Sequence, residues 1–494
     1  MRDAEQKVTR GFFWLGASGG VLRVLDLLGS IFILWLLDAE QVGIAALAWT
    51  VAMIVESFNG LGVGVALVQS PELDEEESDS LFWFSSALGL GLSVAIAVAS
   101  PAIARAYGRE AAWSMLAVAS SRVAFVAAAL VPVQLLQRRL EFKELAVVQT
   151  SAAAVAALVK IGLLLLGAGA WSLVISHVVE GAFTLVSVYA LSPYWPKWRF
   201  SFGKSTRFLR FGAKAAASTI LYQSYRNLDF VIVGKVFGVA TLGAYRVASD
   251  VAMVPAQAVL DVVNRTAFPV YARIGLGHPE TLKRMFLSMT RRLALVSGPL
   301  CVLSLLFAPS ILALVSGARW DAAGPMIRLL CWAALLRSLT QSIPQLFHAA
   351  GRPELAAYDS SLTLIGFVAS AYALVKLFGA SLGANAVSLA WITTYALTLC
   401  ALFLMTRWIV PLKIGEFAKS LLQPLLMMVV LGALLSPLKP VLDRALPQAL
   451  STGVGLGLGL ATLFGFARFV LKVRLAPKSH SSSRRDGSSY PPAA

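Results

Sequence analysis

The sequence predicts an all-α polytopic membrane protein of about fourteen transmembrane helices, arranged as two six-helix lobes in a parallel pseudo-repeat plus a C-terminal helix pair. Three observations carry that expectation. The 494 residues are 58% hydrophobic and 14% charged, with a mean hydropathy of +0.74. Soluble domains run to about 45–50% apolar and about 25% charged, so this chain has too little polar surface to face water. Apolar runs long enough to cross a bilayer recur along the whole chain. Finally, a displacement of 200 residues aligns the first run with the seventh. Gly43, Ala48, Val51, Ala52 and Met53 then meet Gly243, Ala248, Val251, Ala252 and Met253, while Arg10, Ala17, Ser18 and Leu28 meet Arg210, Ala217, Ser218 and Leu228. Six spans of displacement preserve membrane orientation, so the repeats are parallel.

The spans fall at 11–37, 42–68, 80–103, 112–136, 144–166, 170–191, 208–236, 239–270, 290–315, 322–348, 356–378, 383–406, 416–435 and 447–471. The first run is too long for a signal-peptide core and reads as a retained helix. Pro132, Pro255 and Pro344 fall inside spans as candidate kinks. Of the 42 Lys and Arg, 26 lie in or beside alternate segments that include both termini, against 7 on the other side. The positive-inside rule therefore places both termini in the cytoplasm. The chain divides into a cytoplasmic N-terminus (1–10), an N-lobe (11–191), a cytoplasmic linker (192–207), a C-lobe (208–406), helices 13 and 14 (407–471) and a Ser-, Arg- and Pro-rich disordered tail (472–494).

The net charge of +16 sits in short clusters between apolar runs, not on one soluble face, which argues against nucleic acid as a partner. Cys301, Cys331 and Cys400 lie in apolar runs without metal-ligand spacing and read as packing residues. No phosphate-binding glycine loop followed by Lys, HExxH or nucleophile elbow appears, so no enzyme, cofactor or metal is expected. Loops are short, and the longest on the outer side, 436–446, has no His. Gly453, Gly455, Gly457 and Gly459 suit close helix packing. Tyr194, Trp195, Trp198 and Phe200, interleaved with Lys197, Arg199 and Lys204, read as an interfacial anchor. The acidic stretch Glu72, Asp74, Glu75, Glu76, Glu77 and Asp79 departs from the cytoplasmic charge pattern as a loop without an assigned role.

Fifteen charged residues lie deep in the spans, nine basic and six acidic. Facing lipid would cost of order 40 kcal/mol in total, at about 2.5–3.5 kcal/mol each, so most must pair, snorkel or face a hydrated cavity. Lys160, Lys214, Arg246 and Arg328, near span ends, are expected to snorkel. Asp261 with Arg265, and His177 with Glu180, have the spacing of pairs along one helix. Tyr222, Arg226 and Asp229 share one face of span seven, with Gln223 alongside, as a mid-membrane polar stripe; the alternative is that Arg226 and Asp229 only neutralise each other. Arg23 and Asp26 echo them in span one, and Arg122 and Arg337 are mid-span with no acid nearby in sequence. The candidate substrate-binding cavity is thus Arg23, Arg122, Arg226, Arg337, Tyr222 and Gln223. Asp26, Glu56 and Asp229 are candidates for ion coupling. The excess of Arg suits an anionic cargo, particularly phosphate, which a guanidinium holds through two parallel hydrogen bonds.

At span seven the run Arg226-Asn227-Leu228-Asp229, with Gly234, Gly238, Leu242-Gly243-Ala244-Tyr245 and Ala248, resembles a signature of polysaccharide-unit flippases. These form the Wzx/PST branch of the multidrug, oligosaccharidyl-lipid and polysaccharide exporter superfamily. Arg10-Gly11 with Trp14, and the stretch Leu136 to Lys143, look similar to the same branch. The resemblance implies a two-lobed, non-enzymatic carrier in the bacterial inner membrane. Its cargo would be undecaprenyl-pyrophosphate-linked oligosaccharide, moved by alternating access, with membrane lipids, a polysaccharide polymerase and export machinery as partners. A peptidoglycan-precursor flippase is the alternative within transport, and a membrane polymerase or ligase the alternative among enzymes.

Overall fold

A computed structural model describes residues 21–22, 25–26, 28–59, 63, 67, 73–274 and 277–469. The side chains of 202, 204–219, 318, 353, 466–469 and several positions between 254 and 273 lie outside that description. Residues 28–36 are helical and lead into α1 (Ala39–Glu56), α2 (Glu75–Ala106), α3 (Trp113–Arg138), α4 (Phe142–Leu165) and α5 (Ala170–Leu191). After a linker come α6 (Phe202–Phe237), α7 (Val239–Ile274), α8 (Pro279–Ser316), α9 (Ala323–Ser342), the short α10 (Pro344–Ala349), α11 (Pro353–Leu382), α12 (Asn385–Thr406), α13 (Ile414–Ala445) and α14 (Gln448–Phe469). Among the described residues there is no strand. The reason is solvent: in hydrocarbon each backbone donor must be satisfied within its own segment, and the helix does so.

Ten of these helices are long and apolar enough to cross a membrane. The long helices outside that set are α6, α7 and α9, which carry the polar stripe of span seven, Arg246 with Asp250, and Arg328 with Arg337. α7 packs against α1, α6, α8, α9 and α10. α3 packs against α1, α2, α4 and α5, while α9 packs against α7, α8 and α12. The two halves meet where α1 lies on α7 and α6, and where α2 reaches α6. α13 packs on α8, and α14 on α8 and α13.

Pro132 lies within α3 without ending it, but Pro344 starts a new helix, splitting span ten into α9 and α10. The predicted outer loop 436–446 is helical to Ala445, with Pro437 and Pro440 inside α13.

Glu72 lies outside the described residues; the rest of the acidic stretch, Asp74 to Asp79, is corrected from loop to helix start. Asp74 caps α2 and forms a capping box with Glu77, and Glu75, Glu76 and Glu77 fill the first turn, where the helix dipole favours negative charge. This turn docks the linker. Glu75 pairs with Lys197 at 2.9 Å, and the Asp79 carboxylate accepts from the Tyr194 hydroxyl at 3.0 Å and the Lys197 backbone at 3.2 Å. Ser201 N donates to Ser80 Oγ, and Trp83 Nε1 to the Lys197 carbonyl, both at 2.9 Å. Trp83 also stacks on Trp198 at 4.0 Å between centroids. Burial and the Asp79 carboxylate push the Tyr194 phenol well above its ordinary pKa, so it stays a donor. Trp195, Trp198 and Phe200 remain exposed.

Candidate functional site

The first polar cluster lies in the N-terminal half and centres on Arg122 of α3. Its Nε meets Glu56 at the end of α1 at 3.2 Å; its Nη1 meets Glu180 of α5 at 3.0 Å and donates to the His177 carbonyl at 2.8 Å. The guanidinium sits 4.9 Å from the ring centre of Trp49, and that ring stacks on His177 at 3.8 Å. His177 Nδ1 lies 3.7 Å from Glu180, so the expected contact within α5 exists beside the shorter one from Arg122. The expectation of Arg122 as an unpaired cavity cation is therefore corrected. Its acids are 66 and 58 residues away, on helices that α3 packs between. The Glu56 carboxylate is occupied in the same contact.

Nearby, Asp26 is exposed and has Lys160, Glu180 and Asp250 as charged neighbours. The Lys160 ammonium lies 3.2 Å from where a Cβ on Gly29 would stand. Arg246 pairs with Asp250 at 2.9 Å, one turn along α7. Arg23 lies outside the described residues, as do the side chains of Lys214, Asp261 and Arg265.

The second cluster lies in the C-terminal half. On α6, Arg226 covers the Tyr222 ring at 5.3 Å and donates to its hydroxyl at 3.4 Å. Asp229 does not complete that stripe. It is 4% exposed and accepts from Tyr245 Oη of α7 at 3.0 Å, from Trp391 Nε1 of α12 at 3.0 Å and from the Phe230 amide at 2.9 Å. Helical spacing put Asp229 and Tyr222 on one side, but the short carboxylate is held by the neighbouring helices. No ion pair joins Arg226 and Asp229, so the alternative in which the two only neutralise each other is corrected. Gln223 enters through its backbone carbonyl, which accepts from Asn227 Nδ2 at 2.8 Å.

Arg337 of α9 faces the same region. Its Nη1 lies 3.8 Å from Met253 Sδ, while its Nε and Nη2 are buried without a hydrogen-bond partner. Tyr222, Tyr225 and Tyr395 are its electrostatic neighbours, and Asp229 couples to it beyond ion-pair distance. One turn on, Gln341 Nε2 donates to Tyr225 Oη at 3.4 Å. Phe367, Trp391 and Tyr395 stack behind this group at 3.9 and 5.1 Å between ring centres. Arg226 and Arg337 thus converge on Tyr222, and among the described residues neither has a carboxylate within ion-pair distance.

The sequence reading did not single out Trp49, Tyr225, Gln341, Trp391 or Tyr395, and it met Tyr245 only within the run that resembles the flippase signature. Only the i, i+4 spacing of Trp391 and Tyr395 was visible as a signal. Among the described residues, no group of three His, Cys, Asp or Glu side chains could hold a metal.

Residues 35–325 match a family described as "Polysaccharide biosynthesis protein". The chain is similar to the teichuronic acid biosynthesis protein TuaB of Bacillus subtilis (strain 168), 25% identical over 75% of this chain and 76% of that one. It is also similar to the lipopolysaccharide biosynthesis protein WzxC of Escherichia coli (strain K12), 22% identical over 85% of each. The succinoglycan biosynthesis transport protein ExoT of Rhizobium meliloti (strain 1021) is 27% identical over 60% of each. In fold, the chain resembles the lipid II flippase MurJ in an inward closed conformation, with a TM-score of 0.75 at 14% identity over 92% of this chain and 98% of that one. An inward-facing multidrug transporter of the MATE family gives 0.56 at 18% identity over 78% and 94%.

Proposed function

Because this chain belongs to the polysaccharide biosynthesis protein family, we propose that it is a flippase for undecaprenyl-pyrophosphate-linked oligosaccharide units, working in the bacterial inner membrane with both termini cytoplasmic. Residues 11–191 and 208–406 form its two lobes and move against each other in alternating access. The product serves surface polysaccharide assembly, where a polymerase and export machinery receive it.

The observation that carries this reading is the convergence of Arg226 and Arg337 on Tyr222 with no carboxylate within ion-pair distance of either among the described residues. Two guanidiniums in the interior of a membrane bundle repel each other and are costly to bury unless an anion joins them. A diphosphate ester supplies two phosphates with acceptor oxygens suited to guanidinium forks. Tyr225, Tyr395 and Gln341 stand around the same place and can donate to oxygen. Arg122 is assigned a different role: with two carboxylates already on it, it ties α1, α3 and α5 together. Ion coupling, if the carrier uses it, falls to exposed Asp26 rather than to Asp229, whose oxygens are already taken by three donors.

The test is a flipping assay in proteoliposomes with lipid-linked oligosaccharide. Arg226→Ala with Arg337→Ala should stop flipping while the folded protein is recovered at native yield. Native flipping by the folded double variant would remove the anion-site assignment. Setting the membrane potential and ion gradients independently separates electrophoretic from ion-coupled export: the potential favours outward movement of the diphosphate by about 2.3 kcal/mol per charge per 100 mV.

A further inference from the structure

α1 and α7 touch backbone to backbone at their first turns. A Cβ on Gly43 would stand 1.9 Å from the Val239 carbonyl oxygen, and a Cβ on Gly243 would stand 1.8 Å from that of Ala39. Those pairs differ by 200 residues at each position, the displacement that aligns the two halves of the sequence. The crossing is therefore two-fold symmetric: 43 meets 239 and 243 meets 39. Neither glycine has positive φ, so closeness of approach, not backbone freedom, is what excludes a side chain there.

The same end of the bundle holds four side-chain hydrogen bonds that join the two halves. Trp320 Nε1 donates to the Leu34 carbonyl at 3.1 Å, and Arg319 Nη1 to that of Trp35 at 2.7 Å. Tyr107 Oη donates to Val231 O at 3.5 Å, and Lys235 Nζ to Ala106 O. α2 gives the direction. Its first turn holds the linker and its last residue touches Lys235, so this seam lies about 48 Å from the linker, 32 residues at 1.5 Å each.

We propose that the Gly43–Gly243 crossing is the gate that seals the face of the bundle away from the linker, and that α1 and α7 must part there to let cargo out. This rests on the transport reading above. The side-chain-free crossing lets the two helix ends close without a gap. A single added Cβ collides with rigid backbone, so it holds the gate ajar.

The experiment places spin labels at Glu110→Cys and Val236→Cys, one on each half beside the seam, with Cys301, Cys331 and Cys400 replaced by Ser, in lipid nanodiscs. Gly43→Val and Gly243→Val should each lengthen the distance between labels, and by similar amounts because the crossing is symmetric. Gly91→Val should not, since a Cβ there meets nothing within 4 Å. An unchanged distance in a folded Gly43→Val or Gly243→Val protein overturns the proposal, as does an equal change in Gly91→Val. If the glycine variants do not fold, a bifunctional reagent joining the two introduced cysteines in the otherwise unaltered seam decides. Complete cross-linking should abolish export, and full export after it overturns the gate. The label distances need no cargo, so an error in the cargo assignment leaves that outcome untouched.

Discussion

Replacing Arg122 with Met strands two carboxylates inside the helix bundle. In the native protein the guanidinium touches Glu56 at 3.2 Å and Glu180 at 3.0 Å, with the Arg122 side chain 13% exposed and the acids at 20% and 33%. Pairs this covered behave as buried ones, and removing one partner typically costs about 3–5 kcal/mol because a charge is left uncompensated. The variant also leaves the His177 carbonyl without the donor at 2.8 Å. A triple variant, Glu56→Gln, Arg122→Met and Glu180→Gln, removes all three charges and should recover most of the loss, since neutral groups of similar shape need no counter-ion. Reversible unfolding in mixed detergent micelles measures both differences. A cost below about 1 kcal/mol for Arg122→Met, the range of exposed pairs, would refute the reasoning. So would a triple variant no more stable than the single one.

Three other outcomes follow from the same contacts. Asp229→Asn replaces an acceptor of three donors with a group that presents its own donor to them, so it should destabilise the protein by about 1.5–3 kcal/mol in the same unfolding assay; a neutral effect would mean the Tyr245 and Trp391 contacts carry no weight. Arg226→Ala should weaken cargo binding by about 1.5–3 kcal/mol, roughly ten- to hundredfold in flipping at limiting cargo, while Arg226→Lys keeps the charge but loses the fork and should fall between. Equal rates for the two variants would show that charge plays no part. In the linker dock, Lys197→Ala should cost about 0.5 kcal/mol or less because its pair with Glu75 is exposed, whereas Asp79→Ala should cost about 1–3 kcal/mol by leaving Tyr194 Oη and the Lys197 amide unpaired. Thermal unfolding of the two variants gives the order, and a reversed order would contradict the dock.

What was legible in the sequence was whatever depends on neighbours along the chain. Hydropathy marks the helices because each must satisfy its own backbone in lipid. The start of α2 was also legible in principle: Asp74 and Glu77 have capping-box spacing before an apolar run, although their charge density read as a loop. Partners across the bundle were not legible. Arg122 finds acids on two other helices, and Asp229 is held by Trp391, 162 residues on. Helical spacing tells which side of a helix a residue occupies; it does not tell which helix lies opposite. Gly43 and Gly243 stand between these cases, since the internal repeat paired them in alignment while their physical contact needed the packing of α1 on α7.

The linker dock also bears on the order in which the protein is made. All of its described partners, from Glu75 to Ser201, precede α6, so the dock can close before the second half of the chain leaves the ribosome. Chains fold in units from the N-terminus during synthesis. The first half can therefore tie off its own trailing end while α6 is still in the tunnel. The dock then holds the chain at Ser201, one residue before α6 begins, which limits the freedom of the second half to insert out of register with the first.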